Sequence, residues 1–294
     1  MTSPPDAGDA PPELLARGFL ARPAREAAPD LLGCVLEHET AEGLVAVEVT
    51  EVEAYEGLID PASHSYRGRT PRNAIMWGPP GFGYVYFTYG MYYCVNVVCQ
   101  PAGTSAAILI RAGRVIAGEQ LARQRRAVRP HPPSLLTPPP SPPAPPGLSA
   151  APPGPSAPSS PSSPLDPPAP SGPSAQPSRS SRDARARPPA PRDLAARDLA
   201  RGPGRLCQAM GITLAQNGLD CCDPASPLRL RPAPIPPPAA DGTGPGPQPR
   251  VNPSPRISSG PRVGVTAAPE VPWRFWLTDD PTVSDYRLHK PRPR

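Results

Sequence analysis

Two glutamates, Glu51 and Glu53, lie two positions apart in the run LVAVEVTEVEAY over 44–55, with Tyr55 two further on. Carboxylates held on one face can deprotonate a water or grip a guanidinium. The run alternates: Val45, Val47 and Val49 oppose Ala46, Glu48 and Thr50, which predicts a strand. Carried on unbroken, that alternation puts Glu51, Glu53 and Tyr55 on the face of the three valines. An unpaired charge there costs roughly several kcal/mol. The glutamates are therefore either ion-paired with a nearby arginine or open to a cleft where the strand leaves the core. A bulge would change the parity.

A second concentration lies in YVYFTYGMYYCVNVV over 84–98. Tyr84, Tyr86, Tyr89, Tyr92 and Tyr93 are five phenols within ten positions. Two aromatic and β-branched runs flank Tyr89-Gly90-Met91, which predicts a hairpin with its tip at Tyr89 and Gly90. Tyr84, Tyr86 and Thr88 face opposite to Val85, Phe87 and Tyr89, so both faces are aromatic. That suits core packing. It also suits a surface on which nucleobases stack, with a tip that wedges between base steps. Asn96 interrupts the apolar run CVNVV, and Arg111 ends AAILI. A buried amide needs a hydrogen-bond partner, and a buried guanidinium needs a carboxylate, for which Glu53 or Glu51 is the candidate.

Other chemistries find little support. The six cysteines form no CxxC, and the four histidines have no zinc spacing relative to them, so no metal is expected. Reduced, mostly buried thiols are expected instead. Lys290 is the only lysine, which leaves no side-chain amine in the folded region for a Schiff base.

These residues must be positioned by ordered elements, and composition separates the ordered from the rest. The 294 residues include 54 prolines, where about 15 would be ordinary. Residues 1–12 form a Pro-rich tail. Residues 13–36 read as short helices, with Asp30 as N-cap of one entering LLGCVL. Residues 56–80 are loop-rich, 105–112 a buried strand, and 114–126 a helix. From 127 to 191 the chain is Pro, Ser and Ala with almost no large apolar residue, which predicts a disordered insertion. Residues 192–212 return to helix, broken around Pro203. Residues 232–260 form a second Pro/Gly-rich loop, 261–284 two closing strands, and 285–294 a tail. Together 13–126 and 192–284 predict one discontinuous α+β domain with a curved antiparallel sheet and a protruding β-hairpin.

The net charge is +5, almost all of the positive charge being Arg, which permits a nucleic-acid partner without requiring one. The longest apolar runs are far short of the roughly 20 residues of a membrane span. The N-terminal residues have neither a basic nor an apolar signal region. A cytoplasmic protein is expected, with the Ala, Pro and Arg bias suggesting a GC-rich genome.

The segments EVTEVEAYEG, ASHSYRGRTPRN, GYVYFTYGMYYCVNV, LIRA, RGPGRLCQAMGI and RVGVTAAPEVPWRFWL, in that order, resemble the alkyladenine (3-methyladenine) DNA glycosylase family. The resemblance spans roughly 13–126 and 192–284. It implies a bacterial, nucleoid-associated base excision repair enzyme that acts as a monomer, without cofactor, on double-stranded DNA containing damaged purines. It further implies that Glu53 is the general base, and that Arg111 helps hold the attacking water and that carboxylate. Tyr55, His64 and Tyr86 would wall the pocket of the flipped base. Asn96 would disfavour the exocyclic amine of guanine, and Tyr89 would be the wedge that enters the minor groove. Near-absence of lysine adds that such an enzyme is monofunctional, without lyase activity. A non-catalytic nucleic-acid-binding module with a Pro-rich interaction segment is the alternative, and Glu53 with Arg111 distinguish the two. The sequence departs from the family in its Pro-rich stretches and at Thr278-Asp279-Asp280, where a basic or Gly turn is usual, which puts a phosphate contact there in doubt.

Overall fold

The computed structural model describes residues 13–88, 90–128, 194–233 and 256–286. Tyr89, Lys290 and the Pro-rich segments 129–193 and 234–255 lie outside them. The chain opens with α1 (Arg17–Leu20) and α2 (Ala24–Asp30), followed by β1 (Val35–Thr40) and β2 (Gly43–Tyr55). The hairpin strands β3 (Gly83–Thr88) and β4 (Tyr92–Cys99) come next, then β5 (Ala106–Ala117) and α3 (Glu119–Ala127). After the insertion come α4 (Pro203–Met210), β6 (Leu228–Arg231), β7 (Ile257–Gly260) and β8 (Arg274–Leu277). The strands form one eight-stranded sheet, ordered β3-β4-β5-β2-β1-β6, with β8 pairing to both β2 and β7. Every pairing is antiparallel. The architecture is α+β with a curled antiparallel sheet.

Strand β2 organises the site. Its first half pairs with β1, its second half with β8, and its other edge with β5 throughout. The β2–β5 register slips on both sides of Glu51. Such an irregularity adds a residue to one strand, bends it and increases its twist. It also reverses the parity that the alternation implies. Val45, Val47 and Val49 are in the main core, but beyond the slip Val52 and Ala54 take the core positions. Glu53 and Tyr55 are turned to the opposite face. The neighbouring strands agree: Val85, Val95, Val97, Ile108 and Ile110 join the core. Tyr86, Asn96, Leu109 and Arg111 line a cavity on the other side. The core is closed by Ala24, Ala27 and Ala28 of α2 and by Leu206, Cys207, Ala209 and Met210 of α4.

Several boundaries differ from the sequence expectation. Asp30 ends α2 rather than capping a new helix, and Val35–Thr40 is a strand. Gly33, at φ 83°, takes a left-handed conformation that a continuing helix cannot contain. Strand β5 runs to Ala117, so the helix expected from 114 starts at Glu119. Gly118 separates them at φ 70°, and a Cβ there would sit 2.0 Å from the Leu44 carbonyl oxygen. Of the two closing strands, one lies earlier, at Ile257–Gly260, inside the stretch read as a Pro/Gly-rich loop. Residues 261–273 contain no strand, since Pro261, Pro269 and Pro272 cannot donate to a ladder. The break before α4 is as expected, with Gly202 as N-cap and Pro203 in the first turn.

Gly57 makes the turn out of β2 toward His64. It has φ 62°, and a Cβ would lie 1.7 Å from the Ser105 carbonyl oxygen. Gly57→Ala is expected to lower stability by about 1–3 kcal/mol from backbone strain alone, and more from the clash. Urea unfolding at neutral pH measures it, and an unchanged midpoint would contradict this account of the turn.

Candidate active site

A cavity of about 350 Å³ opens on the face of the sheet away from the main core. Four adjacent strands supply its floor: Glu53 and Tyr55 from β2, Leu109 and Arg111 from β5, Cys94 and Asn96 from β4, and Tyr84 and Tyr86 from β3. The loop containing Pro61, Ala62 and His64 forms one wall, and residues 263–267 form another. The structure thus brings together Glu53, Tyr55, His64, Tyr86, Asn96 and Arg111, which are spread along the sequence from 53 to 111. Tyr89 lies outside the described residues. Its neighbours Gly90, Met91 and Tyr92 are exposed.

The Glu53 side chain borders the cavity yet has no solvent-exposed surface. Its Oε1 accepts from the Val263 N–H at 2.6 Å, and its Oε2 accepts from the Tyr55 hydroxyl at 2.9 Å. Arg111 Nη1 lies 3.2 Å from Oε1. A carboxylate offers about four acceptor directions, so these three partners leave room for about one more donor. Burial, and then the charge of Glu53, raises the Tyr55 phenol well above its ordinary value. The phenol is therefore a donor to this carboxylate throughout the physiological range.

Arg111 answers the question left open by its position, because it contacts both glutamates. Its Nε donates to Glu51 Oε1 at 2.7 Å while Nη1 faces Glu53. Glu51 also accepts from Arg274 Nε at 2.8 Å, from the Ser284 hydroxyl at 2.9 Å and from the Ser284 N–H at 2.7 Å. Burial works to raise the Glu51 pKa, but Arg111, Arg274 and Ser284 outweigh it and hold the carboxyl below its ordinary value. For Arg111, burial opposes the charge, and Glu53 and Glu51 more than compensate, so its pKa is raised. Two carboxylates and two guanidiniums thus cancel beneath the cavity.

Four aromatic rings line the cavity: Tyr55, His64, Tyr84 and Tyr86. His64 meets Tyr86 edge-on, with centroids 4.6 Å apart and planes at 70°. His64 Nδ1 is 3.0 Å from the Tyr84 hydroxyl. Partial desolvation, then nearby Arg72, lowers the His64 pKa, which favours the neutral ring. Asn73 Nδ2 donates to the backbone carbonyl oxygens of His64 and Gly68, each at 3.0 Å, and so shapes the loop. Asn96 Nδ2 donates to the Tyr84 carbonyl at 2.9 Å across the hairpin.

Sequence reasoning did not single out Val263, Asn73, Ser284 or Arg274. The first acts through a backbone N–H and leaves no side-chain signature. Asn73 and Ser284 lie in irregular segments, and Arg274 opens a strand of four residues, too short for a periodicity to mark it. The Thr278–Asp280 turn is satisfied internally: Asp280 accepts from the Thr282 N–H at 2.9 Å and pairs with Arg114.

The model of the family described as methylpurine-DNA glycosylase matches residues 18–141 and 174–281. The chain belongs to the methylpurine-DNA glycosylase family. The family match breaks over 142–173, inside the Pro-rich insertion, and continues through the second Pro-rich stretch. A protein of Streptomyces avermitilis is 38% identical over 285 residues, covering 95% of each chain. One of Leifsonia xyli subsp. xyli is 37% identical, covering 92% of this chain and 95% of the relative. One of Mycobacterium tuberculosis is 35% identical, covering 85% and 84%. All three carry the name "Putative 3-methyladenine DNA glycosylase". Among the described residues, no helix of this glycosylase-family chain is long and apolar enough to cross a membrane.

Proposed function

We propose that this protein is a monofunctional DNA glycosylase that extrudes alkylated or deaminated purines from duplex DNA. It would hydrolyse the N-glycosidic bond and leave an abasic site. The observation that carries the reading is a carboxyl group, fixed by three donors, at the floor of a cavity lined by the rings of Tyr55, His64 and Tyr86. Each base–aromatic stack contributes about 1–3 kcal/mol. A cationic alkylpurine gains further attraction from electron-rich rings. Extrusion costs a few kcal/mol, and least for a weakened pair, which adds selectivity.

In this reading Glu53 is the general base. Its free acceptor direction takes a proton of the attacking water, and the water oxygen bonds to the sugar C1′. The C1′–N9 bond breaks, and its electron pair leaves with the purine. A cationic alkylpurine departs neutral, whereas a neutral purine such as hypoxanthine also needs protonation. Arg111 holds the carboxylate and the water. Asn96 borders the base and would clash with the exocyclic amine of guanine. Tyr89 would fill the space left in the duplex. The only lysine, Lys290, lies outside all the segments that build the site, so no Schiff-base step is assigned.

The test is single-turnover base release from duplexes carrying hypoxanthine, an alkylated purine or uracil, with and without Glu53. Release of the damaged purines that depends on Glu53 supports the proposal. Duplex binding without release would favour a non-catalytic binding module. Residues 130–190 are proposed to be dispensable: their deletion is expected to leave the thermal midpoint unchanged and the excision rate within about twofold of the parent, because long surface insertions add little to the free energy of folding. A chain that no longer folds would make the insertion structural.

A further inference from the structure

Behind the cavity wall lies an ion pair that the proposed chemistry does not use. Arg262 and Asp60 are both without exposed side-chain surface. The contact is bidentate, Nη1 to Oδ2 at 2.5 Å and Nη2 to Oδ1 at 2.9 Å. Asp60 Oδ1 also accepts from the Ala62 N–H at 3.0 Å, and Oδ2 from the Glu56 N–H at 3.2 Å. Four donors fill about all the acceptor directions of a carboxylate. Arg262 Nη1 donates further to the Ala54 carbonyl at 3.0 Å. Its guanidinium lies between two rings, 4.7 Å from the centroid of Tyr55 and 5.3 Å from that of Trp273.

The pair joins three parts of the site that are distant in sequence. Asp60 fixes the loop that carries Ala62 and His64. Arg262 backs the Tyr55 ring and the end of β2. The residue that follows it is Val263, whose N–H donates to Glu53 Oε1 at 2.6 Å. A buried pair is weak evidence for stability, since apolar residues of similar volume often replace one without loss. Its fork geometry does specify orientation. We infer that the Asp60–Arg262 pair is the positioning device of this site: it sets the Val263 N–H on the Glu53 carboxylate and fixes the spacing of the walls. The inference rests on the reading of Glu53 as general base. Asp60 and Arg262 touch no reacting atom and act through Val263, Tyr55 and the His64 loop.

Arg262→Lys keeps the charge and removes the fork. Arg262→Met combined with Asp60→Leu removes the pair and keeps apolar volume, and it carries the test if the first variant does not fold. Either folded variant, as the full chain, is expected to release base about 100-fold more slowly in single turnover, with a smaller loss of affinity for the lesion duplex. Amide hydrogen exchange at Val263 is expected to be about tenfold faster. A folded variant with the parental release rate, or with parental protection at Val263, overturns the inference. Exchange at Val263 is read without any chemistry. A parent chain that releases no base would therefore refute the proposed function and leave the exchange test of the clamp standing.

Discussion

Glu53→Gln is expected to slow base release from a lesion duplex by about 10²–10⁴-fold, the range for removal of a general base, while duplex affinity stays near that of the parent. The amide is nearly isosteric, and its carbonyl oxygen can still accept from the Val263 N–H or the Tyr55 hydroxyl. It cannot take a proton from water. Arg111 keeps its bond to Glu51 at 2.7 Å, so the substitution does not leave that guanidinium without a carboxylate. Binding survives because the rings and the DNA-facing surface are untouched. The loss therefore falls on the chemical step, which single-turnover release separates from affinity measured by gel shift. Parental release by a folded Glu53→Gln protein would remove Glu53 from the mechanism.

The largest effect on stability is expected at Glu51. Its side chain is fully buried between Arg111 and Arg274, which are themselves buried. Glu51→Ala leaves two guanidiniums without this carboxylate, and breaking a buried pair on one side costs about 3–5 kcal/mol. Denaturant unfolding at pH 7 measures it, and a parental midpoint would refute the neutralising role. The same residue sets a pH dependence. Its folded pKa is lowered against an unfolded value near 4.3. The unfolded state therefore binds the proton first as pH falls, and the stabilisation from Glu51 is lost from about pH 4 downward, through the folded value. Glu51→Gln is expected to be less stable than the parent at pH 7 and to converge toward it in acid. A gap that stays constant with pH would show that the carboxylate charge is not what stabilises.

Much of the site could be read from local pattern, because several of its signals are local. Alternation over 44–55 predicted a strand, and the misplaced carboxylates pointed to something other than a plain core face. Alternating aromatics about Gly90 predicted the hairpin. An arginine at the end of AAILI implied a buried carboxylate partner. Pattern was least informative where a single residue changes the phase. The slip at Glu51 moves Val52 and Ala54 into the core and turns Glu53 and Tyr55 to the other face. Alternation alone cannot register a bulge whose cause lies in the pairing with β5. Val35 and Leu36, which open β1, fall at the end of the stretch expected as helix, because LLGCVL is short and apolar and such a run fits either period. Val115, Ile116 and Ala117 fit either period as well, so the sequence pattern does not show that β5 runs to Ala117 before α3 begins at Glu119.

Residue types and their order determined which groups are present: the carboxylates at 51 and 53, the guanidinium at 111, the phenols and imidazole, and the near-absence of amines. They also delimited the segments too poor in large apolar side chains to build a core. The tertiary structure alone decided which of the two glutamates faces the cavity and which neutralises the arginines beneath it. It alone brought the Val263 N–H to Glu53 and the Arg262 fork to Asp60. The reason is that these contacts cross more than 200 positions of chain, and one of them is made by a backbone group that every residue but proline carries. Local periodicity encodes the neighbours along a strand, whereas the register between strands is settled only when the whole sheet closes.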